Sequence, residues 1–171
     1  MPATTGPHWK TIGFQGNDPR TDVRGARFMG VSFLARALET DPLLGPMALH
    51  SSDEDGYPFA ASALNVFRVL CVHLKLTTER VLFCPCCSGT SGTRPTGAGG
   101  DATEALRGFA TLLAEDADAL FQVFTACLHV MDRGWRMYSR TQPGFSLLNF
   151  GDVLALTRLC ALRVLARQPS S

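Results

Sequence analysis

Apolar residues recur at intervals of three and four along most of this chain, and strict alternation is nowhere sustained. Thr21 and Asp22 are good N-cap residues, and behind them Ala26, Gly30, Phe33, Leu34, Ala37 and Leu38 mark one helical face. This pattern predicts a helix ending near Thr40, because Pro42 disfavours continuation. A shorter helical piece over Leu43 to His50 is weakened by Gly45 and Pro46, and Ser51 to Gly56 reads as polar turn. The next helix starts near Pro58, a residue tolerated in a first turn, and runs to about Leu76. Its apolar residues cover almost every face, as expected of the central helix of a bundle. Further helices are expected over Asp101 to Glu115 and from Asp116 to about Tyr138. The second carries a stripe of Leu120, Phe121, Phe124, Cys127, Leu128, Met131 and Trp135. A last helix spans Asn149 to Arg167, after the break at Pro143-Gly144. No β-hairpin, alternating strand or internal repeat is legible. The expected class is all-α, a single compact multi-helix bundle.

Two stretches fall outside this pattern. Met1 to Arg20 holds Pro2, Gly6, Pro7, Gly13, Gly16 and Pro19, and reads as loop with at most one short ordered turn. Residues 1–8 are expected to be a disordered tail, and 9–167 the domain. From Cys84 to Gly100 the composition shifts to Gly, Ser, Thr and Pro, which predicts a long, flexible surface loop.

Composition narrows the classes. With 171 residues, 46% hydrophobic and 18% charged, the chain suits one well-packed domain and not a disordered one. Net charge is +1, and the sixteen basic residues, nearly all arginine, are scattered. A nucleic-acid partner needs a concentrated basic face, so none is expected. Met1 to Pro7 lacks the basic-then-apolar pattern of a secretory signal. The apolar stretch Tyr57 to Leu76 carries Asn65, Arg68, His73 and Lys75, which argues for a core helix and against a membrane span. A reduced, cytoplasmic compartment is the default expectation for the cysteines.

The segment most informative about chemistry is WKTIGFQGNDPRTDVRGARFMGVSFL, Trp9 to Leu34. Arg24 is expected in the first turn of a helix, where the macrodipole disfavours a cation by roughly 0.3–1 kcal/mol. Helix stability therefore does not call for arginine there, whereas contact with an anion such as phosphate does. The residues alone leave two readings: an ion pair with Asp18 or Asp22, and an external anion. Gly25 and Gly30 leave room for another backbone or a partner surface. Trp9 and Phe14 are expected to pin the loop by burial, with the indole N–H bonded locally. Gln15 reads as a loop brace or a ligand contact, and Asp22 as a helix cap that also steers Arg24.

As a whole, the segment resembles the motif of ELMO (engulfment and cell motility) domains. In that motif a tryptophan, then Gly-Phe-Gln, then Pro-x-Thr-Asp-Phe-Arg-Gly come at fixed spacing. Here the matching residues are Trp9, Gly13-Phe14-Gln15, Pro19, Thr21-Asp22, Arg24 and Gly25. Tyr57-Pro58-Phe59, Leu64-Asn65-Val66, Phe121 to Trp135 and Asn149-Phe150 extend the resemblance over Trp9 to Leu165, with Cys84–Gly100 outside it. It implies a GTPase-activating protein for Arf and Arf-like small GTPases, as in the family's ELMOD branch. Arg24 would be the arginine finger, and Trp9, Phe14, Gln15, Pro19, Thr21, Asp22, Gly25 and Arg27 would form the partner-binding surface. The chain would need no cofactor of its own, since GTP and Mg²⁺ are bound by the partner, and membrane association would come through that partner. Val23 stands where the family has Phe, and Arg27 where it has Gly. Arg27 reads either as a second phosphate contact or as a diverged docking surface. The alternative implied by the engulfment branch is a non-catalytic binding module in small-GTPase signalling.

Cys84-Pro85-Cys86-Cys87 contains a C-x-x-C spacing, but no βαβ unit surrounds it and no second ligand pair completes a zinc site. No metal site is expected, and His50, His73 and His129 read as satisfied core or boundary residues. A dithiol oxidoreductase is the least supported class.

Overall fold

At the centre lies a helix that buries almost every face it has. In the computed structural model α5, Phe59–His73, is buried at ten of its fifteen positions, from Phe59 through Leu70. The structure describes residues 5–23, 26–53, 56–77 and 98–168, with the side chains of Arg27, Ser52 and 98–101 set aside. Around α5, in chain order, are α1 (His8–Thr11), α2 (Arg20–Val23), α3 (Arg27–Thr40), α4 (Leu44–Leu49), α6 (Ala98–Glu115), α7 (Ala119–Thr141) and α8 (Phe150–Ala166). Short 3-10 turns, His50–Ser52 and Leu147–Asn149, precede α5 and α8. Among the described residues there is no strand, so the all-α expectation holds. None of the described helices is long and apolar enough to cross a membrane.

The predicted stripes form the core. On α7, Phe124, Cys127, Leu128, Met131 and Trp135 are buried, and Leu120 and Phe121 pack against them. Phe33 of α3 sits at the junction, with ring centroids 5.1 Å from Phe67, 5.7 Å from Phe121 and 5.8 Å from Phe124. Arg36 fastens the outside of this seam. Its guanidinium donates two bonds to the Asp118 carboxylate, 2.8 and 2.5 Å, and lies 4.0 Å above the Phe121 ring. Asp118 is the residue before α7, so the fork ties α3 to that helix's first turn.

Two close approaches depend on missing side chains. A Cβ on Gly108 would lie 1.9 Å from the Leu165 carbonyl oxygen, where α6 crosses α8. A Cβ on Gly30 would lie 3.2 Å from Phe67 and 3.3 Å from Leu64. The room at Gly30 is thus taken by α5 from inside the bundle, so of the two expected uses it serves a close approach within the fold and not a partner surface.

Several element boundaries differ from those the pattern predicts. The single helix expected over Thr21 to Thr40 is divided into α2 and α3, and Thr21 and Asp22 lie within α2 instead of capping the longer helix. The Ala26 N–H donates to the Val23 carbonyl, bracketing positions 24 and 25, which are outside the described residues. Helix α5 ends at His73, earlier than expected. Lys75 takes the left-handed conformation (φ 57°), Lys75 N–H donates to the Val72 carbonyl and Leu76 N–H to that of Cys71. Helix α6 starts at Ala98, so 98–100 belong to a helix and not to the Gly/Ser-rich loop. Residues 5–8 are not a tail: Gly6 N–H donates to the Asn17 carbonyl, and His8 opens α1.

Candidate functional site

The N-terminal loop is built into the bundle through the first turn of α5. A helix start leaves backbone N–H groups without intrahelical partners. Here Phe59 N–H donates to Ser51 Oγ (3.2 Å), Ala60 N–H to the Ile12 carbonyl (3.2 Å) and Ala61 N–H to the Gly13 carbonyl (3.0 Å). Gly13 adopts φ +86°, and a Cβ there would stand 2.2 Å from the Phe59 nitrogen. No other residue type satisfies both demands. Phe14 follows it into the core, 6% exposed, with Trp9 edge-on at 5.4 Å between ring centroids. Trp9 pins the loop as expected, but its buried Nε1 has no hydrogen-bond partner among the described residues, contrary to the expected local bond.

The second half of the motif is held by acids. Asp18 receives a forked contact from Arg20, through Nε (2.9 Å) and Nη2 (2.9 Å), which lowers its pKa below the ordinary carboxylate value. Thr21 Oγ1 donates back to the Asp18 carbonyl at 2.9 Å. Asp22 accepts from the Gln15 backbone N–H at 2.8 Å, stitching α2 to the end of the first half. Asp22 is therefore a brace seven residues long in sequence, not the cap of the following helix. The backbone of Gln15 is what is braced; its side chain is exposed at the edge of a cleft of about 1000 Å³. Pro19 is half-buried at the start of α2, and Val23 packs against the core, keeping an apolar anchor. Arg24 and Gly25 lie outside the described residues, and Arg27 opens α3.

Immediately beyond stand two residues the sequence pattern did not single out. Phe28 is 83% exposed and Met29 56% exposed, in the first turn of α3. An apolar pair at a helix start reads as core in sequence. The signal that could have separated them is the buried set Ala26, Gly30, Leu34 and Ala37, which puts Phe28 on the opposite face.

Elsewhere, several titratable groups are paired with one another. Asp132 is buried on α7 and accepts from Arg136 Nε (2.8 Å) and Tyr57 OH (3.4 Å). Burial, and then the nearby carboxylate, push the Tyr57 phenol up. His129 Nε2 meets Asp41 at 2.6 Å, and His50 Nδ1 meets Asp53 at 2.6 Å, so both histidines have partners as expected. Burial, with Cys160 nearby, pushes the Cys127 thiol up to about 12, making it an inert core residue. Among the described residues no group of His, Cys, Asp or Glu could hold a metal ion; Cys84, Cys86 and Cys87 are outside them.

The chain matches the ELMO/CED-12 family over residues 2–154. The chain belongs to that family. ELMO domain-containing protein 3 of Bos taurus is 32% identical over 71 residues, covering 39% of this chain and 19% of the relative. The match thus spans about a fifth of that relative's length. No solved structure matches the chain significantly. Within this ELMO/CED-12 member the motif does two jobs. Trp9 to Phe14 cap and fill the bundle, while of the described residues that follow, Arg20, Thr21, Phe28 and Met29 are exposed and Val23 and Ala26 pack inward.

Proposed function

We propose that this chain stimulates GTP hydrolysis by a small GTPase of the Arf or Arf-like family, with Arg24 as the arginine finger. The observation that carries the reading is the exposed Phe28–Met29 pair. It begins four residues after the motif's arginine in sequence and offers an apolar anchor for a protein partner, of the kind that dominates binding energy at interfaces. One further feature supports it: Asp18, one of the two acids near Arg24 in sequence, is already engaged by Arg20 through both oxygens.

In this mechanism the partner holds GTP and Mg²⁺ and positions the attacking water. As the γ-phosphate transfers, negative charge spreads over its oxygens, and a guanidinium entering from outside neutralises it with forked donors. Such a finger contributes about 10³–10⁵ in rate, or roughly 4–7 kcal/mol of barrier. Trp9, Phe14, Asp22 and Thr21 hold the segment, while Gln15, Pro19, Gly25 and Arg27 border the contact.

The test is single-turnover GTP hydrolysis by a panel of purified Arf-like GTPases, with this chain and with Arg24→Lys. Stimulation by the native chain is expected, and Arg24→Lys should lose most of it because an ammonium lacks the planar fork. Stimulation of none of the panel would overturn the activator reading. Binding without stimulation would leave a non-catalytic module.

A further inference from the structure

Helices α7 and α8 run antiparallel, and two contacts fix the register between them. A Cβ on Gly134 would stand 3.2 Å from Val153 Cγ1. One turn nearer the start of α7, Met131 Sδ accepts from Thr157 Oγ1 at 3.5 Å. Each turn back along α7 is therefore matched by one turn forward along α8. The next turn brings Cys127 to Cys160. Gly134, Met131 and Cys127 keep helical spacing on the side of α7 that meets α8, as do Val153, Thr157 and Cys160 on the side of α8 that meets α7. Cys160 also acts electrostatically on the Cys127 thiol, in keeping with that placement.

Both cysteines are free thiols, but their surroundings differ. Cys127 is 3% exposed, whereas Cys160 is half-buried and within reach of a small oxidant. Packing alone asks only for small apolar side chains at these positions, which alanine or valine would supply. Two sulfurs facing each other across a helix pair add a chemistry that packing does not use. Gly134, on the same seam, lets the two helices approach closely, as a bridge between them requires.

We propose that Cys127 and Cys160 are a peroxide-responsive thiol pair that closes a reversible disulfide between α7 and α8. Cys160 is the entry point. Its thiolate sulfur attacks one oxygen of hydrogen peroxide, the O–O bond breaks, and the departing hydroxide takes up the Cys160 proton as water. Cys160 becomes a sulfenic acid, oxidised by two electrons, as the peroxide is reduced. The Cys127 sulfur then attacks the Cys160 sulfur, the S–O bond breaks, and the departing hydroxyl leaves with the Cys127 proton as a second water. A dithiol reductant returns both thiols by exchange. Burial keeps Cys127 from reagents in solvent, so the group it meets is the one the fold sets beside it. The inference is independent of Arg24 and of any GTPase.

Peptide mapping by mass spectrometry under non-reducing conditions tests it on the whole folded chain after treatment with hydrogen peroxide and alkylation of the remaining thiols. The expected product is a pair of peptides joined through Cys127 and Cys160, separated again by dithiothreitol. Cys127→Ala removes the resolving thiol, so at the same peroxide dose Cys160 should advance to sulfinic acid. Three results overturn the proposal. They are a native chain whose Cys160 stays unoxidised, one whose Cys160 is oxidised or joined to another cysteine while Cys127 remains a thiol, and equal sulfinic acid at Cys160 in the native and Cys127→Ala chains.

Discussion

Residues 9–15 and residues 18–29 belong to one sequence motif, yet the bundle treats them oppositely. In the first stretch the backbone is spent on α5: the Ile12 and Gly13 carbonyls cap it, and Phe14 is buried. In the second, Arg20 and Thr21 lie in the open, and Phe28 and Met29 are the exposed apolar residues. The first half caps and fills the fold, and the second combines inward-packed Val23 and Ala26 with exposed residues that the proposed function assigns to a partner. Substitutions in the two halves should therefore be separable by two readouts, melting and partner binding.

The largest stability effect is expected at Gly13. Gly13→Ala meets both an unfavourable φ and a Cβ 2.2 Å from the Phe59 nitrogen, so at least about 3 kcal/mol should be lost, visible in a urea melt. Phe28→Asp should leave the melt unchanged and weaken partner binding by roughly 30-fold, the scale of an interfacial anchor, measured by titration of the GTP-loaded partner. Asp22→Ala lies between the two halves. Leaving the Gln15 N–H without its acceptor should cost about 1–2 kcal/mol in the melt and loosen α2.

The smallest effect is a pH dependence outside the motif, a control for the comparison. Burial acts to raise the Asp41 pKa, but hydrogen bonds from His129 and the Leu43 N–H, with the His129 charge, bring it below its ordinary value. A carboxyl lowered on folding contributes stability that is complete above its unfolded pKa and disappears as pH falls through the folded one. The difference in urea midpoint between the native chain and Asp41→Asn should hold above about pH 5 and shrink towards zero as pH falls below about 4. Phe28→Asp should change none of this.

Much of the architecture was legible because it rests on periodicity. The α7 stripe from Leu120 to Trp135 and the all-round apolar character of α5 are local properties of the chain, and both describe the core correctly. The separation of α2 from α3 was not legible, and neither was the Asp22 to Gln15 contact that ties α2 to the loop across seven residues, which no helical spacing encodes. Lys75 likewise ended α5 without the glycine that usually announces such a stop. At the candidate site, Gly13 and Phe14 were conspicuous as motif residues, while their role as cap and plug of α5 needed coordinates. Phe28 was hidden for the opposite reason: an apolar residue entering a helix looks like core until the buried face is located.

The most direct measurement pairs GTP hydrolysis with thermal melting for Arg24→Ala on whichever Arf-like GTPase the native chain stimulates. The account predicts a melting temperature within about 1–2 °C of the native chain, as for a surface substitution, and stimulation reduced about 10³-fold or more. A folded Arg24→Ala chain that stimulates hydrolysis as well as the native one would contradict it.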